Sequence, residues 1–250
     1  MRSGNGRVRD VQLSLRQVHA LAGAEIKARY LGSVLGLLWA IIHPLVLILL
    51  YVFVFSIVLK VKVGSEGNAE EYGLFLFAAI IPWRMVQDIL IRAPGVYLER
   101  ASLLAKIPMS HLVVPASLVL VCLFNLIVDL LVFISVLLVL GRTLPPQVIL
   151  LLPLTVSLCL LTLGISVVVA EMNVRYRDTG QVCQVVSVLW FLASPIIYPP
   201  EMVPKRLSWI IEGNPFSGVV GLFRHALLGL PAPTSTAIWL SAAFVLITCG

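Results

Sequence analysis

Long apolar runs, separated by short charged segments, dominate the chain. A helix that crosses the hydrocarbon core of a bilayer needs about 20 apolar residues. Five runs meet or approach this length, and a sixth run at the end of the sequence is shorter. We therefore predict an all-α integral membrane protein with six transmembrane helices, and we expect the chain to continue beyond Gly250 into a basic cytoplasmic tail. The predicted spans cover residues 34–59, 72–91, 111–140, 147–170, 183–198 and 236–250.

The residues before the first span predict an amphipathic helix that does not cross the membrane. From Val11 to Ile26, apolar residues recur at steps of three and four, and charged residues occupy the opposite face. A helix of this kind lies in the membrane interface. We assign residues 1–33 to the cytoplasmic N-terminus with this interface helix, and 34–250 to the transmembrane domain. A simple surface anchor remains an alternative role. The basic residues assigned to the interface helix are Arg16, Lys27 and Arg29.

The segment of residues 99–108, between the second and third spans, predicts a short cytoplasmic helix. It begins with polar residues, contains the apolar pair Leu103 and Leu104, and is closed by Pro108. Exposed apolar side chains on a short cytoplasmic helix are typical of a docking surface. We expect both leucines to be exposed and to contact a partner protein.

Residues 199–235 predict re-entrant helices on the external side, before the last span. Several prolines interrupt the segment, and its two apolar pieces, residues 207–211 and 216–230, are too short to cross a bilayer. An irregular backbone at membrane depth is tolerated only against protein or a water-filled cavity. This segment is therefore a candidate external gate.

Composition and charge agree with a membrane protein and give it an orientation. Hydrophobic residues make up 60% of the chain and charged residues only 12%, which is too apolar for an ordinary soluble domain. The net charge of +6 does not predict nucleic-acid binding, because the basic residues gather at the ends of apolar runs. Most of them precede span one or lie between spans two and three or four and five, which predicts a cytoplasmic N-terminus.

Catalytic motifs are absent from the sequence. It contains no GxxxxGK[ST] loop for a nucleotide, no HExxH and no GxSxG. The histidines and cysteines are scattered, so we expect no metal site, no catalytic residue and no cofactor bound by this chain. Arg84 and Asp88 lie four residues apart and can neutralise each other, whereas Asp129 either pairs with a neighbouring helix or takes part in transport.

Several short segments in a fixed order resemble a known family. They are residues 27–39 (KARYLGSVLGLLW), 43–44 (HP), 82–83 (PW), 104–108 (LAKIP), 173–178 (NVRYRD), 194–198 (SPIIY) and 214–215 (NP). In this order and spacing they resemble the ABC type-2 exporter permeases of the O-antigen, capsule and teichoic-acid group. That resemblance implies a homodimer in the bacterial inner membrane, with two copies of a separate ATPase that binds ATP and Mg²⁺.

The resemblance also implies roles for individual residues. The ATPase would contact the coupling residues Glu99, Arg100, Leu103, Leu104, Lys106 and Pro108. A lipid-linked glycan would pass along the dimer interface, and the candidate lining residues are Trp39, Tyr51, Phe55, Trp83, Asp129, Phe191 and Tyr198. The candidate external gate comprises Asn214, Pro215 and Phe216.

Three other functions stay open at this point. An exporter of a small lipid, drug or haem-like molecule would share the mechanism, although the short loop of residues 60–72 leaves no room for a large external domain and favours the glycan group. A membrane scaffold would need no ATPase. A membrane enzyme would need a polar cluster within the spans.

Overall fold

The structure, a computed structural model, describes residues 4–30, 35–36, 38–51, 53–54, 58 and 69–249. In this part of the chain every regular element is helical. The α-helices are α1 (Gly4–Tyr30), α2 (Leu38–Tyr51), α3 (Ala69–Arg92), α4 (Val96–Glu99), α5 (Ala101–Lys106), α6 (Val113–Val139), α7 (Leu151–Arg175), α8 (Thr179–Ala193), α9 (Ser208–Glu212), α10 (Pro215–Leu228) and α11 (Ser235–Cys249). Short 3-10 turns join α3 to α4 and precede α7 and α9.

Among the described residues, three helical segments are long and apolar enough to cross a membrane. They are Glu70–Glu99, Val113–Val139 and Pro146–Arg175. The all-α membrane class is therefore confirmed, and these segments correspond to the second, third and fourth predicted spans. Two more apolar helices, α8 and α11, have 15 residues each and are shorter than a simple span. The first predicted span lies partly outside the described residues, and its described part, α2, has 14.

Helix α3 lies at the centre of the bundle. In its most apolar stretch 78% of the residues are buried, against 39% for α6 and 28% for the α7 segment. It packs against α6, α7, α8 and α10, which surround it. Helices α6 and α7 are more apolar than α3 and leave larger parts of their surface exposed, whereas α3 carries polar side chains that need protein partners.

Polar side chains at four-residue steps make α3 and α6 face each other. Arg84 and Asp88 share one side of α3, and Asn125 and Asp129 share one side of α6. Residues four apart lie on the same helix face. In a membrane such side chains must find partners inside the protein, so the two polar faces turn toward one another and the apolar faces turn outward.

Small residues let α10 and α11 approach closely. A Cβ atom at Gly218 would collide with the carbonyl group of Ala237, and the Ser241 hydroxyl donates hydrogen bonds to the carbonyl oxygens of Ala237 and Pro215. Close backbone contact at small residues is a common way for helices to associate in membranes. The α10 helix ends at Gly229, whose φ of 68° lies in the left-handed region that favours glycine.

The predicted amphipathic helix corresponds to α1. Its buried residues Val18 and Ala22 belong to the predicted apolar stripe, while Leu15 of the same stripe is 54% exposed. The helix packs along α6. The apolar stripe of α1 therefore faces protein for at least part of its length.

Candidate functional site

Two polar contacts join α3 to α6 inside the bundle. The Arg84 guanidinium donates a hydrogen bond to the Asp129 carboxylate at 2.6 Å, and the Asn125 amide donates to Asp88 at 3.3 Å. The expectation that Arg84 and Asp88 neutralise each other along α3 is wrong, because each is bonded across the helix interface. Asp129 is only 2% exposed, so within one subunit it is a buried partner of Arg84.

An aromatic cluster joins α3 to α8 and α10. The Trp83 ring centroid lies 6.2 Å from that of Trp190, 5.6 Å from Phe191 and 5.5 Å from Phe216. Edge-to-face contacts at such distances are favourable beyond simple burial. Trp83 and Phe216 are almost fully buried. The structure thus brings a predicted lining residue and a predicted gate residue into direct contact.

The other predicted lining residues lie apart from this cluster. Trp39 is 47% exposed on α2. Tyr198 is half-buried and donates a hydrogen bond from its hydroxyl to the Leu192 carbonyl at 2.7 Å. The side chain of Tyr51 and the whole of Phe55 lie outside the described residues.

Asn214 joins the end of α8 to the start of α10. Its side-chain oxygen accepts hydrogen bonds from the Phe216 amide and from the Trp190 indole, both at 2.9 Å. Its side-chain nitrogen donates to the Ser194 hydroxyl at 2.8 Å and to the Ala193 carbonyl at 3.2 Å. Asn214 is therefore the N-cap of α10, with Pro215 at the first helical position, a combination typical of helix starts.

Arg224 forms a buried clamp that the sequence did not predict. It is 4% exposed, and its guanidinium donates to the carbonyl oxygens of Phe75 at 3.2 Å, Pro195 at 2.7 Å and Ile196 at 2.7 Å. The guanidinium carbon also lies 3.4 Å from the centre of the Phe75 ring. These contacts fix the turn after α8 against α3 and α10. Sequence reasoning counted Arg224 only as a charge on the external side.

The predicted coupling helix of residues 99–108 is divided in two. The α4 helix ends at Glu99, Arg100 leaves helical geometry at φ −108° and ψ 14°, and α5 covers Ala101–Lys106. The expectation that Leu103 and Leu104 are exposed is wrong. Both are half-buried, and Leu104 packs against the core.

Other residues of this segment are exposed. They include Ile107, which is 41% exposed, and Glu99, Lys106 and Pro108. Ile107 is thus the large apolar side chain that the segment presents most openly. The interface-helix residues Arg16, Lys27 and Arg29 are also exposed.

A cluster of charges holds α1 against the C-terminal end of α3 and the start of α5. Glu25 of α1 forms ion pairs with Arg92 and with Arg100. Arg100 also donates to the Ser117 hydroxyl of α6 at 3.2 Å. Burial lowers the pKa of Arg100, and the neighbouring Glu99 opposes that shift. Sequence reasoning used Glu25 only as a charge that excludes a membrane span.

Large grooves on the subunit are lined by apolar side chains. One of about 580 Å³ lies between α2 and α6, and another of about 690 Å³ lies between α6 and α7. Among the residues with described side chains, no three His, Cys, Asp or Glu side chains come together as metal ligands. These grooves suit lipid chains or neighbouring helices better than a polar ligand.

The sequence profile of the family described as ABC-2 type transporter matches residues 16–228. The chain belongs to this family. The match runs from α1 to the end of α10 and includes all the polar and aromatic contacts described above except those of α11. The family resemblance of the sequence segments is therefore confirmed, and this ABC-2 permease is a transport subunit.

Similar proteins in two bacteria carry the name O-antigen export system permease protein RfbA. The protein from Myxococcus xanthus is 30% identical over 241 residues, which are 90% of this chain and 89% of that protein. The protein from Klebsiella pneumoniae is 26% identical over 209 residues, which are 83% of this chain and 78% of that protein. The ABC-2 permease thus resembles these export permeases over most of its length.

Proposed function

We propose that this ABC-2 permease is the membrane subunit of an ATP-driven exporter that moves a lipid-linked polysaccharide out of the cytoplasm. The observation that carries the proposal is the 30% identity, over 90% of the chain, to a permease named for O-antigen export. The sequence adds that this chain has no phosphate-binding loop of its own, so ATP and Mg²⁺ would bind to a separate ATPase.

The cytoplasmic surface of the permease would receive that ATPase. The charge distribution favours a cytoplasmic N-terminus, which puts α1, α4 and α5 on the cytoplasmic side. The exposed side chains of Glu99, Lys106 and Ile107 would contact the ATPase. The half-buried Leu103 and Leu104 would hold α5 against the rest of the subunit. Two ATPase copies would serve two permease copies, one for each coupling segment.

In a homodimer, a second copy of the subunit would form the other side of the glycan pathway. Helix α8 buries Thr179, Cys183 and Ser187 within its own subunit and exposes an apolar face on the other side. That face consists of Val182, Val185, Val186, Leu189 and Leu192. Packed against a second copy, α8 and the exposed Trp39 of α2 would border a pathway for the glycan, near Phe191 and Tyr198.

The external end of the pathway would be closed by re-entrant helices. Phe216, at the start of α10, contacts Trp83 in the middle of α3, whereas Arg224, later in α10, contacts Phe75 near the external end of α3. Helix α10 has 14 residues and is about 21 Å long, which is less than the thickness of the hydrocarbon core. These contacts support a helix that begins at mid-depth and returns to the external side, with Asn214 and Pro215 at its inner end.

A deletion strain tests the proposed substrate class. Without the permease, the lipid-linked glycan is expected to accumulate in the cytoplasmic leaflet while the cell-surface glycan disappears, because synthesis continues and export stops. Lipid extraction followed by mass spectrometry measures the accumulation, and the wild-type gene should reverse it. Normal surface glycan with no accumulation would contradict the proposal and would favour a small lipid, drug or haem-like substrate.

A further inference from the structure

Glu25 occupies a junction of three helices. Its Oε1 atom pairs with Arg92, at the end of α3, and its Oε2 atom pairs with Arg100, at the break between α4 and α5. Each carboxylate oxygen therefore holds a different part of the chain, the end of α3 or the break just before α5. The side chains are between 18% and 25% exposed, so water screens these charge pairs less than it screens pairs on the open surface.

A second contact ties α1 to the other end of α5. The Gln17 side-chain nitrogen donates to the Pro108 carbonyl at 3.4 Å. Gln17 and Glu25 lie eight residues apart on α1, about 12 Å along the helix axis. Helix α5 spans Ala101–Lys106, so the residue just before it, Arg100, and Pro108, two residues after it, are both bonded to α1.

We propose that α1 and α5 move as one rigid unit, and that Glu25 is the positioning residue that transmits this movement to α3. Arg100 extends the connection to α6 through Ser117, so a displacement of α5 reaches both central helices of the polar interface. This inference rests on the proposed function, since it takes the ATPase to act on α5. It gives α1 a role in force transmission in place of simple attachment to the membrane.

Neutralising Glu25 tests the transmission. In the complex of permease and ATPase, Glu25→Gln keeps the shape of the side chain but removes the charge that holds both arginines. We expect the amount of glycan moved per ATP hydrolysed to fall about tenfold, within the usual range for residues that couple two sites. Glu25→Asp should give an amount of glycan per ATP between those of Glu25→Gln and the wild type, because the shorter side chain keeps the charge but does not reach both guanidinium groups.

An ion pair on the opposite side of the membrane provides the matched control. Glu70 pairs with Arg142 at 3.1 Å, and both side chains are more than 40% exposed. Glu70→Gln removes the same charge but should leave the transport ratio unchanged. An unchanged ratio in Glu25→Gln, with wild-type transport intact, would overturn the role of Glu25. Absence of ATP-driven glycan transport by the wild-type complex would instead count against the proposed function.

A covalent link tests whether α1 and α5 move together. Gln17→Cys and Pro108→Cys are combined in a variant whose four native cysteines are replaced by alanine, and a short thiol cross-linker joins them. We expect the cross-linked complex to transport as fast as the same complex before cross-linking, because a rigid unit loses no movement. A block of transport on cross-linking would show that the two helices slide past each other and would overturn the proposal.

Discussion

Arg224→Met is expected to lower the free energy of unfolding of the subunit by about 3 kcal/mol, because two turn carbonyls lose their hydrogen-bond donors. Pro195 and Ile196 follow α8 in a turn, and their carbonyl oxygens each accept a bond from Arg224. Methionine fills similar space but donates nothing. The third acceptor, Phe75, lies within α3, where the helix supplies another donor.

Thermal unfolding of the purified permease in detergent measures this loss. Arg206→Met is the matched control, since Arg206 is an exposed arginine in the segment between α8 and α10. The control should unfold at the wild-type temperature, and Arg224→Met at a clearly lower one. Arg224→Lys should lie between them, because an ammonium group donates hydrogen bonds but cannot reproduce the planar fork. Equal midpoints for Arg224→Met and wild type would contradict the clamp.

The second large effect is expected at the Arg84–Asp129 pair. Arg84→Leu leaves the Asp129 carboxylate buried without its cation, beside Asp88, and should destabilise the subunit by about 3 to 5 kcal/mol. Asp129→Leu should cost less, because Arg84 can turn to Asp88 four residues further along α3. The difference in stability between the two single variants therefore distinguishes the effect of losing the cation from the effect of losing one carboxylate.

The double variant is the decisive comparison for this pair. Arg84→Leu combined with Asp129→Leu removes both charges, and we expect it to be more stable than Arg84→Leu alone, since no uncompensated carboxylate remains at position 129. Unfolding in detergent, followed by circular dichroism, compares the variants. Additive losses in the double variant would show that the two side chains do not interact.

Apolar run length predicted the membrane helices well. The predicted spans 72–91 and 147–170 fall within long apolar helices, and 111–140 exceeds the helix Val113–Val139 by only one or two residues at each end, because a span is defined by local composition. The shorter helices were harder to predict. Helix α8 ends at Ala193, before the predicted end of its span at residue 198, because Pro195 disfavours helical geometry at Ser194, which is extended at φ −96° and ψ 143°. The hydrogen bond from the Asn214 side chain to the Ser194 hydroxyl joins residues 20 apart in the sequence and could not be predicted from local periodicity.

Long-range polar partners explain most of the remaining differences. Arg224 was counted only as a charge on the external side, yet one acceptor of its hydrogen bonds lies 149 residues away in the sequence. Glu25 served only as a charge that excludes a membrane span, and its partner Arg100 lies 75 residues away. Arg84 and Asp88 were expected to pair at helical spacing, but α6 offered each a partner. The partner of each of these side chains depends on which helices are neighbours in the fold, and the sequence of a single segment does not contain that information.

The individual motifs of the candidate site were predictable, but their contacts were not. The segments around Trp83 and Asn214 were identified through the family resemblance, and the family is confirmed. The sequence separated a lining group from a gate group, whereas the structure packs Trp83 against Phe216. A movement of α10 would therefore change the surroundings of Trp83 directly.

Transport into sealed vesicles tests the central claim most directly, namely that this permease forms a pathway and a separate ATPase drives it. Vesicles containing the full chain and its ATPase should move the lipid-linked glycan to the opposite leaflet when ATP is added. Vesicles containing the permease alone should move none. Directional movement of the glycan by the permease alone would contradict the account.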